Sequence, residues 1–129
     1  MSALLMGFDF GTGKIGIAVG QTVTKTASAL TIIRARDGKP DWNQLDALVK
    51  EWQPTLFVVG LPLNMDDSIS EMAEAAERFA RRLEGRYQTP YAMMDERLTS
   101  FEARESSTEE EIDAIAAQLI LESFMNQAS

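Results

Sequence analysis

Four acidic positions stand out because each interrupts apolar surroundings: Asp9, the adjacent pair Asp95 and Glu96, and Asp113. Asp9 lies inside Leu4-Leu5-Met6-Gly7-Phe8-Asp9-Phe10, where a charge is costly unless it is paired, hydrated in a cleft or holding a cation. Asp95-Glu96-Arg97 follows the apolar run Tyr91-Ala92-Met93-Met94, and Asp113 is surrounded by Ala114, Ala116, Ala117, Ile120 and Phe124. The chain has no cysteine and no histidine. Thiolate zinc sites, disulfides, thiol nucleophiles and the usual general base are therefore excluded. Catalysis must rest on carboxylates, hydroxyls, lysine, tyrosine or a metal they hold. Three dispersed carboxylates that converge repel one another until a cation neutralises them. Oxygen ligands suit Mg²⁺ or Mn²⁺, and such sites serve phosphodiester displacement. The expected chemistry is metal-dependent cleavage of a phosphodiester.

Each position also has a plainer reading. Asp9 suits the cap of a turn. Adjacent acids after a strand suit the solvated start of a loop, and if the strand continues Asp95 and Glu96 point opposite ways, so at most one faces Asp9. Asp113 follows Glu109-Glu110-Glu111, where acids favour the start of a helix. Arg97 suits neutralisation of the spare acid or a phosphate contact. Arg78, Arg81, Arg82 and Arg86 form a cluster whose spacing predicts the helical pairs Glu74–Arg78 and Glu77–Arg81, with phosphate tracking as the functional reading.

Gly11-Thr12-Gly13-Lys14-Ile15-Gly16 matches G-x-G-x-x-G, but Ile15-Gly16-Ile17-Ala18-Val19 is strand-like and opens no helix. This excludes a dinucleotide fingerprint. Lys14 is followed by Ile15 rather than Ser or Thr, which excludes a P-loop. The glycines predict a hairpin turn with positive φ, from which Thr12, Lys14 and backbone N–H groups approach a phosphate beside Asp9.

The elements that must position these residues follow from patterning. Leu4 to Phe10 and Lys14 to Gly20 read as an antiparallel pair, and Ala27 to Arg34 as a third strand before the breaker Asp37-Gly38-Lys39-Pro40. Asp41 caps a helix to Trp52 with Trp42, Leu45, Leu48, Val49 and Trp52 on one stripe. Thr55 to Leu61 is a continuous apolar run of the kind buried on both faces. Ser68-Ile69-Ser70-Glu71 is a capping box opening a helix to about Gly85. Tyr91 to Met94 is a short strand, Thr99 to Glu102 starts a short helix, and Thr108 opens a last helix to about Met125. The order β-β-β-α-β-α-β-α predicts a single α/β domain over residues 1–129: a mixed five-stranded sheet with helices on both faces. Ligands of open α/β sheets bind at the carboxyl ends of strands, and Asp9, Asn64 and Asp95-Glu96 all fall there.

The net charge is −8. Residues 1–104 hold 12 bases and 14 acids, whereas the stretch from Glu105 onward holds 6 acids and no base. The body is thus nearly neutral and compatible with a nucleic-acid partner. No apolar run is long enough to span a bilayer and no basic n-region opens the chain, so the expectation is a cytoplasmic protein without a membrane partner.

Phe8-Asp9-Phe10-Gly11-Thr12, Val59-Gly60-Leu61-Pro62-Leu63-Asn64, Asp95-Glu96-Arg97-Leu98-Thr99 and Asp113 before Ala116-Ala117-Gln118-Leu119-Ile120-Leu121 together resemble the YqgF (RuvX) family, in order and over nearly the whole chain. The resemblance implies a ribonuclease H-like fold and a cytoplasmic nuclease. It links the chain to 5′-end processing of pre-16S rRNA in ribosome biogenesis, and alternatively to Holliday-junction resolution. It implies Asp9, Glu96 and Asp113 as catalytic, metal-binding carboxylates for Mg²⁺ or Mn²⁺, with Thr12, Lys14, Asn64 and Arg97 on the substrate. The implied partner is nucleic acid, pre-16S rRNA ahead of a DNA junction, with the small-subunit precursor alongside. A resolvase cuts two strands symmetrically as a dimer, and the sequence shows no obvious interface helix, so a monomer or weak dimer processing rRNA is expected. The chain departs from the family at Glu105-Ser106-Ser107-Thr108-Glu109-Glu110-Glu111, short and acidic where the family has a longer loop with glycine and lysine. Asp9-Phe10-Gly11-Thr12 also resembles the first phosphate motif of sugar-kinase and actin-like ATPases, which need two such domains. A non-catalytic ribosome-assembly module is the third reading.

Overall fold

The computed structural model describes residues 3–61, 71–95 and 109–127. Six strands and three helices follow in the order β1 (Leu4–Asp9), β2 (Lys14–Gln21), β3 (Thr26–Arg36), β4 (Lys39–Pro40), α1 (Trp42–Trp52), β5 (Leu56–Leu61), α2 (Glu71–Tyr87), β6 (Tyr91–Asp95) and α3 (Glu109–Gln127). They form one sheet in the order β4-β3-β2-β1-β5-β6. The first four strands pair antiparallel, and β1, β5 and β6 run parallel. The α/β class, the mixed sheet and the helices on both faces are as expected.

The sixth strand was not expected. Asp37 and Gly38 both take positive φ, 52° and 80°, the geometry of a two-residue hairpin turn. The segment read as a breaker therefore folds the chain back, and Lys39 and Pro40 pair with Arg36 and Ala35. Proline is tolerated because β4 is an edge strand. The turn Gly11-Thr12-Gly13 is a second correction, since neither glycine has positive φ. Gly11 is required for space instead: a Cβ there would stand 2.6 Å from the Lys14 carbonyl oxygen. The tip is held from outside, by Gly38 N–H donating to the Thr12 carbonyl and Ala35 N–H to the Gly13 carbonyl, both at 3.0 Å.

One face of the sheet carries α1 and α2 over Met6, Phe8, Phe10, Ile15, Ile17 and Val59. Asp41 caps α1 as predicted, its carboxylate accepting from Asn43 N–H at 3.1 Å and Gln44 N–H at 3.3 Å. The capping box of α2 begins outside the described residues. That helix ends at Tyr87, two residues past the expected end near Gly85, and Gln88 follows it in the left-handed region at φ 53°. Its last turn is fastened to α1 by Asp46, which accepts both Arg86 Nε (2.8 Å) and Nη2 (2.7 Å) and the Tyr87 hydroxyl (2.6 Å). The Arg86 and Tyr87 hydrogen bonds hold the Asp46 carboxyl down at about 2. Burial and the same carboxylate push the Tyr87 phenol up. The Arg86 guanidinium also stacks 4.9 Å from the Trp42 ring centroid.

Among the described residues, α3 alone covers the other face, on Leu5, Ala18, Ala27, Val58 and Met94. It lies close because the sheet is small beneath it. A Cβ on Gly7 would come within 2.5 Å of Leu121 Cγ and 3.1 Å of the Ala117 carbonyl oxygen. Neither obstacle is the free end of a flexible chain. Gly7→Ala is expected to lift α3 and cost about 1–3 kcal/mol, as overpacking of a filled core does, read as a lower urea midpoint. An unchanged midpoint would show that α3 gives way without cost.

Candidate active site at the carboxyl ends of the parallel strands

Asp9 is the last residue of β1 and is half-buried. Strand alternation puts it on the side of Leu5 and Gly7, the face α3 covers. Its ladder partner is Gly16, which has no side chain. The parallel register sets the end of β1 beside those of β5 and β6, where Leu61 pairs with Asp95. This is the end of an open α/β sheet at which ligands bind.

The same alternation fixes the face of Asp95, the last residue of β6. Met94 packs on the α3 side, while Tyr91 and Met93 pack against α1 and α2. Asp95 therefore belongs to the face of Tyr91 and Met93, opposite that of Asp9. Glu96, Arg97 and Asn64 lie outside the described residues.

α3 runs antiparallel to β1. Met125 reaches Gly20, the ladder partner of Leu5, and Leu121 lies on Gly7. Its N-terminal turns consequently approach the strand end that carries Asp9. Position 113 is one turn before Ala117, which is fully buried. The helix is pinned laterally by Gln118, whose Oε1 accepts the Ala29 N–H at 3.3 Å. The β2–β3 register slips between Ile17 and Ala18, so Leu30 is an extra residue and the ladder is interrupted there.

Of the predicted substrate residues, Thr12 is exposed at the hairpin tip and Lys14 opens β2, half-buried. Lys14 shares strand parity with Gly16 and Ala18, hence the face of Asp9. Across the ladder it pairs with Arg34, a residue sequence reasoning passed over. Arg36 and Lys39 form a second cation–cation pair in the adjoining ladder. Like charges directly opposite are unfavourable in a sheet unless other groups or a ligand balance them. A register drawn from the Asp37-Gly38 reversal would have exposed the second pair, whereas the bulge at Leu30 is what sets Arg34 rather than Ile33 opposite Lys14.

The sequence model of the RuvX family, described as Holliday junction resolvase, matches residues 3–127. The chain belongs to the RuvX family. A RuvX relative from Pseudomonas paraeruginosa is 52% identical, covering 95% of this chain and 91% of its own length. One from Azotobacter vinelandii is 51% identical, covering 95% and 92%. Both carry the name "Putative pre-16S rRNA nuclease". The first alignment spans 131 positions, more than the 129 residues of this chain, so the relative holds residues that this RuvX protein lacks. Among solved structures, Thermus thermophilus RuvC in complex with a Holliday junction matches with a TM-score of 0.60 at 11% identity, over 98% of this chain and 97% of that one. Fowlpox virus resolvase with its Holliday junction matches at 0.55 and 9% identity, over 97% and 98%. These likenesses show the ribonuclease H-like fold.

Proposed function

We propose that residues 1–129 form one ribonuclease H-like nuclease domain that hydrolyses a phosphodiester in the 5′-end processing of pre-16S rRNA, in the cytoplasm, as a monomer or weak dimer. The observation that carries this reading is the position of Asp9. It stands half-buried at the carboxyl end of the strand next to β5, opposite a residue without a side chain and on the face where Lys14 and Arg34 stand together. The relatives' names supply the RNA.

The donor set fits a hard divalent cation, because a chain without cysteine or histidine offers oxygen ligands. Asp9, Glu96 and Asp113 would hold Mg²⁺ or Mn²⁺. When bound, such an ion supplies Lewis acidity at the phosphoryl oxygens and lowers the pKa of water. The chain's own groups do the rest. Lys14 and Arg34 orient the phosphate and balance its charge, Thr12 donates from the hairpin tip, and Asn64 and Arg97 complete the substrate contacts. The tight seat of α3 on Gly7 would hold position 113 at a constant distance from Asp9.

The second reading, junction resolution, is favoured by the family description and by the fold shared with RuvC. Purified protein is offered a pre-16S 5′-leader fragment and a four-way DNA junction, each with Mn²⁺ and with EDTA. Cleavage of the leader fragment alone, abolished by EDTA, is the expected result. Cutting of the junction in preference assigns the resolvase role, EDTA-resistant cutting removes the metal mechanism, and no cutting of either leaves an assembly module.

A further inference from the structure

The arginine cluster on α2 is divided by its partners. Arg86 is bound to Asp46 at 2.7 Å and Arg81 to Glu77 at 3.6 Å. The expected Glu74–Arg78 pair does not form. Among the described residues neither Arg78 nor Arg82 is in an ion pair. Ala75, Arg78, Phe79 and Arg82 follow the i, i+3, i+4, i+7 spacing of one helical stripe. With Phe10, Asp37, Gly38 and Lys39 they line a cleft of about 230 Å³ between α2 and the β3–β4 hairpin. Three cations stand there against one carboxylate. Phe79 is buried while Arg78 and Arg82 are exposed, so the stripe anchors the helix and leaves two guanidinium groups at the cleft.

The cleft is tied to the active-site end of the sheet. Phe10 in its wall is the residue after Asp9, and Gly38 in its wall donates to the Thr12 carbonyl at 3.0 Å. Phe10 and Asp9 belong to opposite faces, so the cleft lies across the sheet edge from the carboxylate.

We propose that Arg78 and Arg82, with Lys39, form a second nucleic-acid contact: a cleft that takes a backbone phosphate flanking the scissile one, on the opposite face of the sheet from Asp9. Guanidinium groups grip phosphate oxygens in pairs, and backbone contacts set register without reading sequence. Nucleic acid thereby crosses the end of the sheet and is held on both faces. This inference rests on the nuclease reading for its ligand, and its test separates the two.

Binding of the leader RNA and of the four-way junction to the full chain is measured in EDTA over a series of salt concentrations. Arg78→Gln/Arg82→Gln is compared with Arg81→Gln, whose side chain is engaged by Glu77. Two lost phosphate contacts lower the slope of log affinity against log salt by about 1.4–1.8, and the affinity near 0.1 M salt by roughly 10- to 50-fold. The loss is expected on both probes, because a backbone contact is indifferent to sequence, and Arg81→Gln should keep the wild-type slope. The exposed sites allow folding to be verified by thermal melting. A wild-type slope in the double variant on either probe, or an equal loss in Arg81→Gln, overturns the proposal. Wild-type protein that binds through the cleft but cuts neither probe with Mn²⁺ refutes the nuclease reading and leaves the cleft standing. Cutting with an unaltered double-variant slope refutes the cleft alone.

Discussion

Asp9→Asn is expected to fold normally and to lose cleavage. Asparagine keeps the size of the side chain and its capacity to hydrogen-bond in the turn, so a purely structural Asp9 would tolerate the change with little effect on stability. A carboxylate that holds a cation would not. Losing a partner in the outer shell of a metal costs roughly 10–100-fold in affinity or activity, and removal of a ligand should exceed that. A second readout does not depend on turnover. Mn²⁺ binding only the folded state raises the melting temperature by mass action, and Asp9→Asn should abolish that rise. If the variant retains both the metal-induced rise and cleavage, Asp9 is a turn cap and the carboxylate site is elsewhere.

Phe79→Ala carries the largest expected cost in stability. Its ring meets Phe8 edge-on at 5.5 Å, Phe10 at 5.2 Å and Trp42 in a stacked arrangement at 6.3 Å, and it is 2% exposed. Removal of a buried phenyl group costs about 3–5 kcal/mol through lost burial and the cavity left behind, and the ring pairs add their own preference for tilted and offset contacts. Natural domains have only about 5–15 kcal/mol in total. The variant should show a much lower urea midpoint with an unchanged slope. A loss under about 1 kcal/mol would mean that the three neighbouring rings close over the gap, and that α2 is seated by something other than this hub.

Periodicity and turn chemistry carried most of the architecture. The apolar run at Leu56–Leu61 could only be a strand covered on both faces, and Asp41 announced α1. What failed depended on geometry that a linear pattern does not hold. Gly11 looked like a conformational glycine but is a spatial one, because the need arises from the Lys14 carbonyl across the turn. Asp37-Gly38 looked like a stop but is a reversal, since left-handed φ at both positions serves a hairpin as well as a loop. Gly7, Ala18 and Gly20 read as ordinary strand residues, and their shared role as a floor for α3 exists only once β1 and β2 are in register. At the candidate site, Asp9 was legible as a carboxylate within an apolar strand. The face that Asp95 takes could not be read until the alternation of Tyr91, Met93 and Met94 was fixed by the two layers they pack into. Arg34 was invisible because its importance comes from facing Lys14.

The contact of Leu121 with Gly7 also has a consequence in time. The two residues come from opposite ends of the sequence, so the loop closed by their meeting contains almost the whole chain. The β1–β2–β3 meander forms from neighbours, but closing so long a loop costs entropy before any contact repays it. Docking of α3 is then expected to be a late step, and its release an early one when the fold loosens. Asp9 can be in place on a finished sheet while position 113 is still elsewhere. If Asp9 and Asp113 form the proposed site, such a chain is expected to cut only after it has closed on itself.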